Sequence, residues 1–467
     1  MMKQRGLYWF THDLRLDDNP LLLECARRVQ EMTCLYIHRE PELEERHFFV
    51  YGSKGLARRQ FEQQTLFELE QQLGQYDQVL HVLEGDSTTI LVRWLQALAI
   101  DVVFVSRQVG WYEKQTIAKV KEALPSLQWV MTDTYTVFAE PELPFQLTHL
   151  PASFSRFQRA VDQLDIPLDI KPLDRLPKPI SQFSYDMQFG DFSCSSPEPL
   201  TNGNDSMEVV QTESVALENV AHSKQPNWFS GGAQAGLMHL HHYFSTSAPL
   251  TYKLTRNALE GDNVSTHFSP WLANGSLSVK RVLSELLRFE SERGENESTY
   301  WIGYELLWRE YFQWYARKFG SALYRFRGIG ERQPLTSFYP MRFKMWVEGT
   351  TPYPLVNACM NELAATGFLS NRGRQIVASC LVNELAVDWR YGASYFQSVL
   401  VDHDVASNWG NWQYIAGVGA DPRGGRHFDI AKQTERYDPQ QSYINKWAGD
   451  KRLVPLNSVD IVDWPLV

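Results

Sequence analysis

Glu305, Trp308 and Arg309 stand at i, i+3 and i+4 in a stretch whose apolar spacing predicts a helix, so all three share one face. A carboxylate, an indole and a guanidinium on one face can hydrogen-bond to, stack on and pair with a planar polar ligand. A solvated surface accounts for the two charges but not for the indole. A second set, Asp402, Asp404 and Asn408, is spaced through an apolar run that continues into Trp409, Trp412 and Tyr414. These types suit the polar edge and flat face of a heterocycle. A metal would want more ligands than two aspartates and His403. Asn371-Arg372-Gly373-Arg374-Gln375 opens another apolar helix with two guanidiniums fit for phosphate or carboxylate, or simply for a capped surface. In Asn263–Pro270, the hydroxyls of Ser265, Thr266 and Ser269 precede a proline, a turn that either binds phosphate or caps a helix.

Positioning such groups requires elements, and the chain divides in three. The first ~130 residues alternate strand and helix patterns, as in parallel sheets covered by helices. Strands are predicted at Arg5–Phe10, Met32–His38, Gln78–Glu84, Asp101–Ser106 and Gln128–Met131. Helices are predicted at Asn19–Gln30, Ser53–Gly74, Ser87–Ala99 and Tyr112–Leu124. No GxGxxG follows the first strand, which argues against a dinucleotide site there. From Pro141 to about Gln225, Pro, Ser and Asp accumulate and predict a long connector. From Trp228 onward the apolar spacing is helical, notably in Ser278–Glu292, Thr299–Phe319, Leu355–Ala364 and Arg374–Leu385. The fold class is therefore α/β plus all-α: a doubly wound parallel-sheet domain over 1–135, a connector over 136–227 and a helical domain over 228–467.

A length of 467 residues calls for more than one core. The net charge of −10 argues only weakly against nucleic acid, because salt screens distant charge within roughly 10 Å and leaves a local basic cleft effective. The five cysteines (Cys25, Cys34, Cys194, Cys359 and Cys380) are scattered without a CxxC pair, which argues against a disulfide framework or zinc module and favours reduced, mostly buried thiols. No apolar run approaches 18 residues and Met1–Phe10 lacks a leader pattern, so a cytoplasmic chain is expected.

Taken together, these segments resemble the photolyase/cryptochrome family. The resemblance begins with Tyr8-Trp-Phe-Thr-His-Asp-Leu-Arg-Leu16 and Asp18-Asn19-Pro20 and runs almost continuously from Tyr252 to Trp447. Thr299-Tyr-Trp, Asn371-Arg-Gly-Arg-Gln, Ser407-Asn-Trp-Gly-Asn-Trp and Gly417-Val-Gly-Ala-Asp-Pro-Arg423 are similar to the DASH branch. The resemblance implies FAD in the helical domain, its phosphates held by Tyr252 and the turn Ser265, Thr266, His267, Phe268 and Ser269. It implies an Arg374–Asp402 pair beside the flavin ring, polar contacts from Asp402 and Asp404, and Asn408 facing the redox-active nitrogen, able to meet either protonation state by flipping its amide. Glu305, Trp308, Asn371, Gln375 and Tyr414 would line a pocket for a pyrimidine dimer flipped out of DNA, with Arg372 and Arg423 on phosphate. Glu305 would hydrogen-bond or protonate the pyrimidine radical, and Trp308 would stack on the dimer. Light-driven repair, preferably of single strands, by a monomer is the implied function.

The chain also departs from the family pattern. Trp412 and Trp389 match the first two tryptophans of the family's photoreduction chain, but the third position holds Thr336, with Tyr339 nearby as a substitute donor. His267 replaces the usual Lys or Arg, which suggests weaker or pH-dependent FAD binding. The family often carries 5,10-methenyltetrahydrofolate as an antenna; the segment Arg107–Glu113 offers only Gln108 or Glu113 toward it. Competing readings are a blue-light receptor without repair, a (6-4) photolyase, whose pocket prefers His, and a light-independent flavin oxidoreductase, which would need a nicotinamide site.

Overall fold

The computed structural model describes residues 4–39, 54–166, 168, 170–180, 229–330, 333–420 and 424–456. Five parallel strands, β1 (Arg5–Phe10), β2 (Glu31–Arg39), β3 (Leu80–Gly85), β4 (Val102–Ser106) and β5 (Gln128–Thr132), take the order β3-β2-β1-β4-β5. The two-residue β6 (Lys178–Pro179), from the predicted connector, pairs with the start of β2. Side chains alternate along β1, so Tyr8 and Phe10 join one buried cluster while Leu7 and Trp9 join another on the opposite face. Helices α1 (Pro20–Arg28) and α2 (Leu56–Gly74) cover the first face; α3 (Ser87–Ala97) and α4 (Trp111–Ala123) cover the second. Burial on both faces is why β4 reads as the uninterrupted apolar run VVFVS.

The connector contributes α5 (Phe154–Val161) to the core of the second domain, where Phe154 and Phe157 are buried. That domain holds α6 (Ala233–Ser245), α7 (Tyr252–Thr255), α8 (Ser269–Asn274), α9 (Val279–Arg293), α10 (Glu297–Phe319), α11 (Pro340–Val347), α12 (Pro354–Thr366), α13 (Asn371–Ser379), α14 (Trp389–Val399), α15 (Val405–Ala416), α16 (Ile430–Tyr437) and α17 (Ser442–Lys446). The helix expected from Arg374 starts three residues earlier, because Ser370 caps it by accepting a bond from the Gly373 N–H; it widens into a π turn at Cys380–Glu384. The centre of α10 is buried all round from Glu310 to Ala316, as expected of the helix about which a domain packs. Among the described residues, Cys25, Cys34, Cys359 and Cys380 are free and buried, and no helix is long and apolar enough to cross a membrane. Cys194 lies outside the described residues.

The amino-terminal signature joins the two domains. Arg15, 2% exposed, donates to the carbonyls of Asp18, Thr134 and Gly275, the last in the helical domain. Leu14 N–H donates to Asn274, Asp17 pairs with Arg281, and Ser278 donates its hydroxyl to Asp18. Gly275 is required twice over: its φ is +71°, and a Cβ would lie 1.9 Å from the His12 carbonyl oxygen. On α10, the buried Glu310 carboxylate accepts from the N–H groups of Val137 and Phe138 and from the Trp314 indole, tying the connector's start to the helical core. Burial pushes that carboxyl up to about 7, against the pull of those three donors and of Arg309.

Candidate active site

The predicted site residues are brought together from four separate stretches of the helical domain. A cavity of about 280 Å³ is lined by the turn 265–269, by Glu305 of α10, by Asn371, Arg374 and Gln375 of α13, by Asp402 and Asp404 of the α14–α15 loop, and by Asn408, Trp412 and Tyr414 of α15. A neighbouring space of about 200 Å³ shares Thr266, Phe268, Ser269, Glu305, Arg374, Asp402 and Asp404 with it and adds Tyr252 and Arg309. Asn371 and Gln375 sit one turn apart on α13, and Asn408, Trp412 and Ile415 one turn apart on α15, so helical repeat alone turns each set to one wall.

Arg374 spans two partners: its Nε donates to the Leu369 carbonyl at 2.8 Å and its Nη2 to Asp402 at 2.8 Å. The Asp402 side chain is 2% exposed, and its second oxygen has no protein partner. Gln375 Oε1 is likewise buried and unpartnered. A ligand offering N–H groups would satisfy both, and an unmet buried polar atom costs ~1–3 kcal/mol. Asp404 is differently employed: it caps α15 through the Ser407 N–H at 2.7 Å and accepts from Gln313 at 2.9 Å. Asn408 donates Nδ2 to the Ala393 carbonyl at 2.9 Å, which leaves its oxygen for the cavity. Flipping that amide would oppose two carbonyl oxygens, so the side chain is held as an acceptor rather than as a two-way switch.

The turn 265–269 is braced from outside. His239 shares a hydrogen bond with the Thr266 carbonyl, and Thr255 donates to that of Val264. Tyr252 hydrogen-bonds with Ser265 and Arg256, and Arg256 pairs with Glu305 while lying 4.5 Å over the Trp301 ring. Burial pushes the Glu305 carboxyl up, and the Arg256 guanidinium pulls it down. Sequence reading missed Arg256; the signal was its i, i+4 spacing from Tyr252. His267 adopts φ +50° and packs against Phe368. Burial lowers its pKa from 6.5 to about 4, so the ring gains charge only as pH falls through about 4, not near 6.5. FAD retention is accordingly expected to stay level between pH 5.5 and 8 on spin-filtration, and His267→Gln to shift it by less than about threefold. A fall in retention centred near pH 6.5 would instead assign His267 a charged role.

Four predicted residues stand outside both sets of lining residues. Trp308 stacks on Phe154 of α5 at 3.8 Å and 10°, and the cavity residue Tyr414 meets it edge-on at 6.2 Å. Phe154, from the least informative part of the sequence, was not anticipated. Arg372 donates to the Asn257 side-chain oxygen and lies 4.9 Å over the Tyr437 ring. Trp389 is fully buried. Tyr339 lies beneath the Arg342 guanidinium at 4.4 Å. Arg423 falls outside the described residues.

Comparison with known proteins places this geometry among relatives. Residues 6–179 match the family model described as DNA photolyase, and residues 301–462 match the FAD binding domain of DNA photolyase. A protein named Cryptochrome DASH from Idiomarina loihiensis is 44% identical over 99% of this chain and 96% of its own length. Another of that name from Vibrio parahaemolyticus is 43% identical over 100% of this chain and 98% of its own. The crystal structure of a Synechocystis cryptochrome superposes with a TM-score of 0.78 at 32% identity, covering 96% of this chain and 89% of that one.

Proposed function

The chain belongs to the photolyase/cryptochrome family, in its DASH branch, and from that membership and the cavity we propose that it uses light to split cyclobutane pyrimidine dimers in DNA, with preference for single strands. The observation that carries the reading is the convergence of Glu305, Asn371, Gln375 and Tyr414 on the same cavity as the Arg374–Asp402 pair. The unpartnered Asp402 and Gln375 oxygens fit a heterocycle with N–H groups, as FAD is. Tyr252 and the turn 265–269 would hold its phosphates, and Arg374, Asp402 and Asn408 its ring.

Reduced FAD, when bound and excited by blue or near-ultraviolet light, supplies the electron that opens the cyclobutane and that afterwards returns. The protein does the positioning. Glu305 accepts from a pyrimidine N–H, with Arg256 holding its carboxylate in place. Trp308, backed by Phe154, gives the base a stacking surface. Arg372 takes a flanking phosphate, and Arg423 belongs to the same reading. Entry requires the lesion to leave the stack, at a few kcal/mol in duplex DNA and less in a single strand, which supports the strand preference. A (6-4) photolyase, whose pocket prefers His, is the less favoured reading: Glu305, Gln375 and Tyr414 stand on the wall, and burial lowers the pKa of both lining histidines, His267 and His403. An antenna folate belongs to the same reading: Gln108 already donates its amide to Thr11 and to the Ser106 carbonyl, and Glu113, whose carboxylate lies beside Gly110 with Oε2 buried, would be the residue to hold it. Residence in the cytoplasm and a monomeric state complete the reading.

Repair of a thymine dimer in a short single-stranded oligonucleotide, with reductant, under blue light and in the dark, tests it. Light-dependent repair, faster than in the matching duplex, supports the reading. FAD retention without repair of either substrate overturns it in favour of a light receptor.

A further inference from the structure

We infer that Tyr304 and Tyr300 extend the Trp308 surface outward and seat the unpaired nucleotides on one side of the lesion, with Arg156 and Arg159 on their phosphates. The inference rests on the reading of single-stranded DNA as substrate. Tyr300, Tyr304 and Trp308 follow one another at four-residue steps on α10, so they form a row along one face of the helix. The row runs from the cavity edge to open surface: Trp308 and Tyr304 are half-buried, and Tyr300 is 51% exposed. Trp308 hydrogen-bonds the Tyr304 hydroxyl, and the rings of Tyr304 and Tyr300 lie 6.1 Å apart. Helix α5 braces both tyrosines. Phe154 meets Tyr304 edge-on at 5.0 Å, and Gln158 donates its amide to the Tyr300 hydroxyl at 2.8 Å. A ring serving only the core would be covered; this one is held at the surface, so little ordering cost remains when a base lies on it.

The spacing of the row selects the state of the strand. Bases in a duplex follow one another at about 3.4 Å. Rings 6.1 Å apart do not match such a stack, whereas nucleotides unstacked from each other can lay one base on each ring. Aromatic faces take any base, so the row is indifferent to sequence. Charge agrees with this occupant. On a chain of net charge −10, Arg156 and Arg159 stand exposed on α5, one on each side of Gln158 in sequence. Arg159 spends its Nε on the Ser155 carbonyl, and among the described residues no carboxylate pairs with either guanidinium. Two carboxylates beside the row are already neutralised, Glu305 by Arg256 and Glu297 by Lys253. The strip is therefore locally cationic and attracts a phosphate backbone.

Fluorescence anisotropy of the FAD-loaded protein in the dark, with labelled oligonucleotides carrying one thymine dimer, reads the row. Adding about four nucleotides to the side that meets the row should tighten binding by about tenfold. Tyr300→Ala should abolish that gain while the gain from the other side and the affinity for the dimer in duplex stay unchanged. Abasic sugars in place of the two nearest bases on the same side should abolish it in the wild type, which tests the row without altering the protein. Arg159→Gln should lower the slope of log affinity against log salt for the single strand by about 0.7. A gain that survives both Tyr300→Ala and the abasic sugars, or an equal loss on duplex, would overturn the inference. Undamaged single strands also reach the row, and their loss of affinity in Tyr300→Ala supports it independently of repair. Absence of repair strikes the proposed function and leaves this binding result standing.

Discussion

Arg374→Ala is expected to cost about 3 kcal/mol in stability and to leave the protein without bound FAD. The substitution removes the guanidinium from a carboxylate whose side chain is 2% exposed. Breaking a buried pair by deleting one partner costs ~3–5 kcal/mol, because the remaining charge stays desolvated. Arg58, half-buried and hydrogen-bonded to the Gln397 carbonyl, lies near enough to Asp402 to soften the loss, which places the figure at the lower end. The Leu369 carbonyl loses its donor at the same time. Arg374→Lys keeps the charge but cannot reach both acceptors in one plane, so an intermediate cost is expected. Urea midpoints give the stability, and the FAD-to-protein absorbance ratio after gel filtration gives the binding. A variant that unfolds near the wild-type midpoint and keeps its FAD would remove Arg374 from the ring site.

The second large effect is expected at Trp308. Trp308→Ala should lower repair at sub-saturating single-stranded substrate by roughly 10- to 100-fold while FAD content stays unchanged. A base stacked on an aromatic side chain contributes ~1–3 kcal/mol, and every 1.4 kcal/mol is tenfold. One face of the indole already rests on Phe154 at 3.8 Å, so a single face remains for a base. That contact also fixes the plane of the ring, which limits the ordering cost on binding. Trp308→Phe keeps part of the stacking surface and should fall between. Initial rates over a range of oligonucleotide concentrations separate the two contributions: a loss confined to KM assigns Trp308 to lesion binding. Unchanged rates would move the stacking role to Tyr414, the aromatic residue in the cavity wall nearest to it.

Strand and helix identities in the first domain were legible because period-two and helical spacing are local properties. Arg5–Phe10 and Ser87 as a helix start appear in the structure as read. The cavity residues on α13 and α15 were legible for the same reason, since one helical turn carries Asn371 to Gln375 and Asn408 to Trp412 onto one wall. What a side chain does with its second hydrogen-bonding group is not local. Asp402 and Asp404 read alike in sequence, yet only the fold gives one a salt bridge with a vacant oxygen and the other a helix N-terminus and Gln313. Asn408 loses its freedom to flip because α14 brings the Ala393 carbonyl to it. His267 reads as a titrating cation, and burial makes it neutral. The signature around Arg15 reads as a family mark, and only the fold reveals its work in joining two domains across 260 residues of sequence. Sequence by itself determined which residues could form each element and which faces they turn inward. Tertiary packing decided partners, burial and therefore charge, because those depend on groups that approach from other elements, 15 to 260 residues away in the chain.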